Sequence, residues 1–148
     1  MKRKVIFTIA VLMAVAFTLS ACDGKTAYEF INDESEISKI EIVRLCEYDE
    51  EKGEYREELI SLIEDRSAFL SDFKRVECYE HWSDPTGVFE GNTVIKITYK
   101  NGEYELIHHS GQSTYLHFDD NPSFLQIYAG FCDFDEKQFN ELIEKYSK

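Results

Sequence analysis

Apolar positions along the chain follow three patterns. Residues 5–19 form a run without a charge, broken only by Thr8 and Thr18. From Tyr28 onward, apolar residues come in short groups separated by charged turns. Near the C-terminus they recur three and four positions apart: Phe139, Leu142, Ile143 and Tyr146. The middle pattern is that of short strands and the last that of a helix with one apolar face.

Each group predicts an element. Residues 37–48 are rich in Ile and Val and read as a strand, although their alternation is imperfect. Residues 49–54 are a charged turn, and 55–63 return as the hairpin partner. A helix over 57–64 competes for this stretch, because Leu59, Leu62 and Ile63 also fit helical spacing. Asp65 is placed to cap a short helix through Lys74, with Phe69, Leu70 and Phe73 facing inward. Residues 76–82 alternate and predict a strand. Residues 93–99 are β-branched, Asn101-Gly102 follows, and 104–108 return. Asn-Gly between such runs predicts a type I′ hairpin, since both turn positions need positive φ. Residues 113–118 add a strand after a turn at Gly111. Asp135 with Gln138 three positions later suggests a capping box, and Phe134 with Phe139 a hydrophobic staple. The sum is an α+β fold: an antiparallel sheet of about five or six strands with one or two helices packed on one face.

Composition narrows the class. The chain has 148 residues, 16 Lys plus Arg, 29 Asp plus Glu and a net charge of −13. That length fits one domain. An aromatic content of 14% excludes a disordered acidic tail. The charge argues against nucleic acid as a partner, because such binding needs a basic face to displace counterions. No repeat is visible, so a solenoid is excluded.

The first segment has its own logic. Lys2, Arg3 and Lys4 precede the fifteen-residue apolar run of residues 5–19. A membrane-spanning helix needs roughly 20 apolar residues, so this run matches the core of a signal peptide instead. Leu19-Ser20-Ala21-Cys22 follows it, in the order aliphatic, small, small, Cys. In these residues the chain resembles a bacterial lipoprotein precursor. The resemblance implies a covalent diacylglyceryl lipid on the Cys22 thiol and cleavage between Ala21 and Cys22. Residues 1–21 are then the signal peptide, 22–27 the lipidated Cys with a short linker, and 28–148 a single domain. It also implies a palmitate-type acyl anchor that holds the protein at the cell membrane, facing outside the cytoplasm. An uncleaved anchor or an ordinary secretory signal ending at Ala21 would share that address. Cleavage leaves 127 residues, and losing three basic residues takes the charge to −16.

Candidate chemistry in the remaining chain is sparse. Cys46, Cys78 and Cys132 allow at most one disulfide, and there is no C-x-x-C. His108 and His109 end one strand and His117 lies on the next. His108 and His117 with Asp119 or Asp120 are the residues that would form a zinc site, with His108 and His109 pointing to opposite faces of the strand. Ser110-Gly111 is not a nucleophile elbow. No Ca²⁺-loop pattern and no phosphate-cradling glycine loop is present. One stretch suits binding: Tyr79, His81, Trp82 and Phe89 surround a Pro- and Gly-containing loop, and Phe124, Tyr128 and Phe131 lie in a second. Large rings on loops give contact area at low entropic cost, although the same rings can also plug the ends of a core.

The sequence therefore leads to a membrane-anchored extracytoplasmic lipoprotein. Its small non-catalytic domain binds a protein partner or ligand and needs no cofactor beyond the lipid. The competing readings are a metal-dependent extracytoplasmic enzyme and an inhibitor or immunity-type protein with an acidic binding face.

Overall fold

A computed structural model describes residues 24–80, 87–118, 121–123 and 132–148. Strand β1 (Lys25–Thr26) leads through a 3₁₀ turn (Glu34–Glu36) into β2 (Ile37–Asp49) and β3 (Glu54–Leu62). Helix α1 (Arg66–Phe73) and β4 (Cys78–Glu80) follow. Then come β5 (Thr93–Tyr99), β6 (Tyr104–His108), β7 (Gly111–Phe118), β8 (Asn121–Ser123), β9 (Cys132–Phe134) and α2 (Glu136–Tyr146). The six-stranded sheet has the order β3-β2-β5-β6-β7-β8, antiparallel throughout. A smaller antiparallel sheet has the order β1-β4-β9.

Both helices and the small sheet lie on one face of the large sheet. The core there joins Ile40, Ile42, Ile95, Ile97 and Ile107 to Phe69, Phe73, Phe134, Phe139 and Leu142. The opposite face holds a second cluster of Val43, Leu45, Val88, Val94, Tyr104 and Leu106. This explains the imperfect alternation of β2. Ile40 and Ile42 serve one core while Val43 and Leu45 serve the other, so both faces need apolar side chains.

The competing helix over 57–64 is a strand, and its misleading spacing has a cause. Ile42 pairs with Ser61 but Val43 pairs with Leu59, so Ile60 is the extra residue of a bulge. Ile60 packs against the helix-side core with Ile63, whereas Leu59 and Leu62 are exposed. A bulge thus places two pairs of residues three apart on common faces, as a helix would.

The hairpin at Asn101-Gly102 forms, but not as a two-residue type I′ turn. The Gly102 N–H donates to the Tyr99 carbonyl, and the Tyr99 N–H donates to the Glu103 carbonyl. The loop therefore has three residues, with Gly102 alone required at positive φ (89°). Asn101 Oδ1 accepts from the Glu103 N–H at 3.0 Å, which uses the Asn side chain rather than its backbone freedom. Gly111 opens β7 rather than making the turn. It pairs with His108, so His109-Ser110 is the connection.

The predicted caps are present. Asp65 accepts from the Ala68 N–H at 2.9 Å, and Asp135 from the Gln138 N–H at 2.9 Å. Phe134 and Phe139 meet at 5.5 Å between centroids, as a staple requires. The reciprocal half of the capping box is replaced. The Asp135 N–H donates to the Glu77 carbonyl, and Gln138 Oε1 accepts from the Glu77 N–H. The cap of α2 is thus fastened to the chain entering β4.

Candidate functional site

Ahead of Tyr28, where the apolar pattern begins, Lys25 and Thr26 pair with Tyr79 and Cys78. Tyr28 then enters the core, its ring 5.6 Å from Phe73 and 5.5 Å from Phe134. Its hydroxyl donates to Glu105 Oε2 at 2.5 Å, and the Tyr99 hydroxyl donates to Glu105 Oε1. Glu105 is completely buried. Burial pushes its carboxyl up to about 7, against the opposing effect of these two hydroxyls and the Ile31 N–H. A cavity of about 270 Å³ lies beside this knot, walled by Tyr28, Phe30, Phe73, Val76, Cys78 and Phe134.

Glu105 escaped the sequence reading, although alternation held the clue. It lies two positions before inward-facing Ile107, and its cross-strand partner is Ile97. A Glu at such a position must find buried donors.

The proposed metal ligands are not brought together. His108 pairs with Gly111, while His117 is paired with Pro122 six residues further along β7. At about 3.3 Å per residue that is roughly 20 Å, far beyond one coordination sphere. Asp119 and Asp120 lie outside the described residues. Among the described residues there is no group of three or more His, Cys, Asp or Glu suited to a metal ion.

His108 and His109 do not diverge as strand neighbours would. His109 has left β6 for the turn, and the two rings stand 4.1 Å apart between centroids. Each ring is 6.3 Å from Phe139. His108 is pushed down to about 4, first by burial and then by His109. Its Nδ1 lies 3.1 Å from Ser110 Oγ. The His109 carbonyl accepts from the Phe134 N–H at 2.8 Å. This arrangement braces the start of α2 against the β6–β7 turn.

The aromatic residues expected to bind divide between layers where the structure describes them. Tyr79 lies on β4, and its hydroxyl donates to Glu77 at 2.6 Å. Phe89 follows Val88, which belongs to the cluster on the opposite face of the large sheet. His81, Trp82, Phe124, Tyr128 and Phe131 lie outside the described residues.

That opposite face carries buried and half-buried rings with an ion pair, and exposed apolar groups beside them. Tyr104 and Tyr115 stack at 5.0 Å with planes 5° apart. Lys96 Nζ sits 4.3 Å from the Tyr104 centroid and meets both Glu57 oxygens at 2.7 Å. Tyr48 and Tyr55 meet edge-on at 5.0 Å. Leu59 (58% exposed), Leu62 (52%) and Phe89 (53%) stand largely in solvent on this face or its rim. A surface that combines rings, aliphatic groups and a fixed Lys–Glu pair offers apolar contact together with charge-directed orientation. The turn of residues 87–92 lies against it through the Gly91 N–H on the Leu45 carbonyl and the Leu45 N–H on the Asn92 carbonyl.

Comparison with protein-family models, with curated proteins and with solved structures finds no match. The site is therefore read from its own chemistry.

Proposed function

We propose that this protein is a lipid-anchored extracytoplasmic lipoprotein whose domain binds a protein partner or ligand on the large sheet's helix-free face. The observation that carries the anchor is the N-terminal order of Lys2-Arg3-Lys4, uncharged apolar run and Leu19-Ser20-Ala21-Cys22. Its physical basis is burial of about 0.8 kcal/mol per acyl CH₂; one chain binds marginally, whereas two or three on one residue persist. Pairing of the chain from Lys25 onward is consistent with a short tether. Two residues lie between Cys22 and Lys25, and the three steps between them reach at most about 10 Å.

Support for binding comes from the exposed set of Tyr48, Leu59, Leu62 and Phe89 around the Lys96–Glu57 pair. Apolar side chains rimmed by polar groups mark contact surfaces on otherwise soluble domains.

The anchor is tested by feeding cells an alkyne-tagged fatty acid. The wild-type chain should take up label, and Cys22→Ala should take up none and keep residues 1–21. Equal labelling of the two would remove the assignment. The binding face is tested by capture from the native cell envelope with wild-type protein and with Leu59→Lys/Phe89→Lys. A partner retained by the first and lost by the second supports the face. A partner retained equally by both moves the interface elsewhere.

A further inference from the structure

We propose that Cys78 and Cys132 are a disulfide-forming pair that fastens β4 to β9 across the small sheet. The two strands are antiparallel, with Cys78 opposite Phe134 and Glu80 opposite Cys132. Positions two apart share a face, so both sulfurs project to the same side of the sheet. That side is the core, where both residues are buried. The pair is diagonal across the ladder, and the Cys78 thiol is hydrogen-bonded to Cys132.

Diagonal neighbours have Cα atoms about 7–8 Å apart, just above the 4.4–6.8 Å usual for a disulfide. Closing the bond asks for a local shift on the order of 1 Å. Strands of three residues, paired over three positions, can make such a shift. Cys46 is differently placed. It lies on β2 of the large sheet, and its Sγ is 3.9 Å from the Arg44 carbonyl. The odd cysteine of the three is therefore Cys46.

The reaction is thiol–disulfide exchange. One thiolate attacks a disulfide-bearing oxidant, a protein oxidoreductase or oxidised glutathione, and forms a mixed disulfide. The second thiol then displaces the oxidant. One S–S bond forms between Cys78 and Cys132, the oxidant's S–S bond breaks, and two electrons and two protons leave as two oxidant thiols. The Cys132 contact, and then burial, hold the Cys78 thiol far above its ordinary range. Attack in the folded state is accordingly slow, and the bond forms while β4 and β9 are still open during folding. The pairing itself stands on strand register; only the compartment that oxidises it rests on the extracytoplasmic reading.

The test uses the full chain in two arms, each trapped with N-ethylmaleimide under denaturing conditions and mapped by mass spectrometry without reductant. In the first arm, reduced protein refolds in a mixture of oxidised and reduced glutathione. The expected product is a Cys78–Cys132 peptide pair two hydrogens lighter than the separate peptides, with Cys46 alkylated. Cys46→Ser should retain the link, and Cys132→Ser should leave Cys78 alkylated. A link that joins Cys78 or Cys132 to Cys46 or Cys22, or alkylation of both Cys78 and Cys132 after refolding, overturns the proposal. In the second arm, protein is taken from its own host. The same link there supports oxidation outside the cytoplasm. Thiols there, with the link formed in the first arm, uphold the pair and count against the location.

Discussion

Glu105 holds two distant parts of the chain together, because its two oxygens accept from Tyr28 and Tyr99. Its folded value of about 7 lies above the 4.5 of an unperturbed carboxyl. Protons therefore bind the folded state more tightly than the unfolded one. The stability this supplies is fully present below about pH 4.5 and is lost as pH rises through 7. The gap corresponds to roughly 3 kcal/mol. His108 acts in the opposite sense: lowered to about 4, it contributes stability that is lost as pH falls below its ordinary 6.5. Urea unfolding of wild type and Glu105→Gln at pH 5.5 and 8 separates the two, since His108 is common to both proteins. The wild type should lose stability relative to the variant on going to pH 8, and parallel behaviour would show that Glu105 does not titrate in this range. This residue was hidden from the sequence for a physical reason. Alternation places it inward, but its hydroxyl donors are Tyr28, 77 residues away, and Tyr99, across a turn, and only the folded register joins them. The same holds for His108 and His117, which look adjacent along the chain and are separated by the hairpin pairing.

Helix α2 was the most legible element because its signals are local. Asp135 caps it, Phe134 staples to Phe139, and the apolar side chains fall three and four apart. Removing the cap with Asp135→Ala should cost about 1 kcal/mol. Phe139 is almost wholly buried against Phe134 and the two His rings. Phe139→Ala should cost about 3–5 kcal/mol. Thermal melting of the two variants should therefore show the second falling several times further, and equal shifts would mean that the helix is not held by its apolar face. Strand β3 was less legible, since one inserted residue at Ile60 gives a strand the i, i+3 spacing of a helix. The Asn101-Gly102 hairpin was placed correctly but its turn type was not. The hydrogen bond that the Glu103 N–H donates to Asn101 Oδ1 favours a three-residue loop, with the glycine as its last residue.

For the whole molecule, the proposed address is contiguous in sequence and the proposed binding face is not. The residues that carry the anchor proposal, Lys2 to Cys22, are twenty-one neighbours in the chain. The exposed apolar positions of the proposed binding face come from β2 (Tyr48), β3 (Leu59, Leu62) and the turn before β5 (Phe89), and depend on which strands pair and which face the helices cover. On the proposed cleavage the charge becomes −16, which would repel an anionic bilayer within about 8 Å. The tether should hold the β1 end nearest the lipid and leave most of the acidic surface further out. Adding salt should accordingly change how closely the domain approaches anionic vesicles while leaving its attachment intact. Membrane sedimentation of lipidated protein across a salt series checks this, and release at high salt would indicate electrostatic rather than acyl anchoring. The most direct measurement is intact and N-terminal peptide mass spectrometry of protein purified from its own host. The account predicts a mature chain that begins at Cys22 and carries a diacylglyceryl mass on that residue. A chain that begins elsewhere, or at an unmodified Cys22, would contradict it.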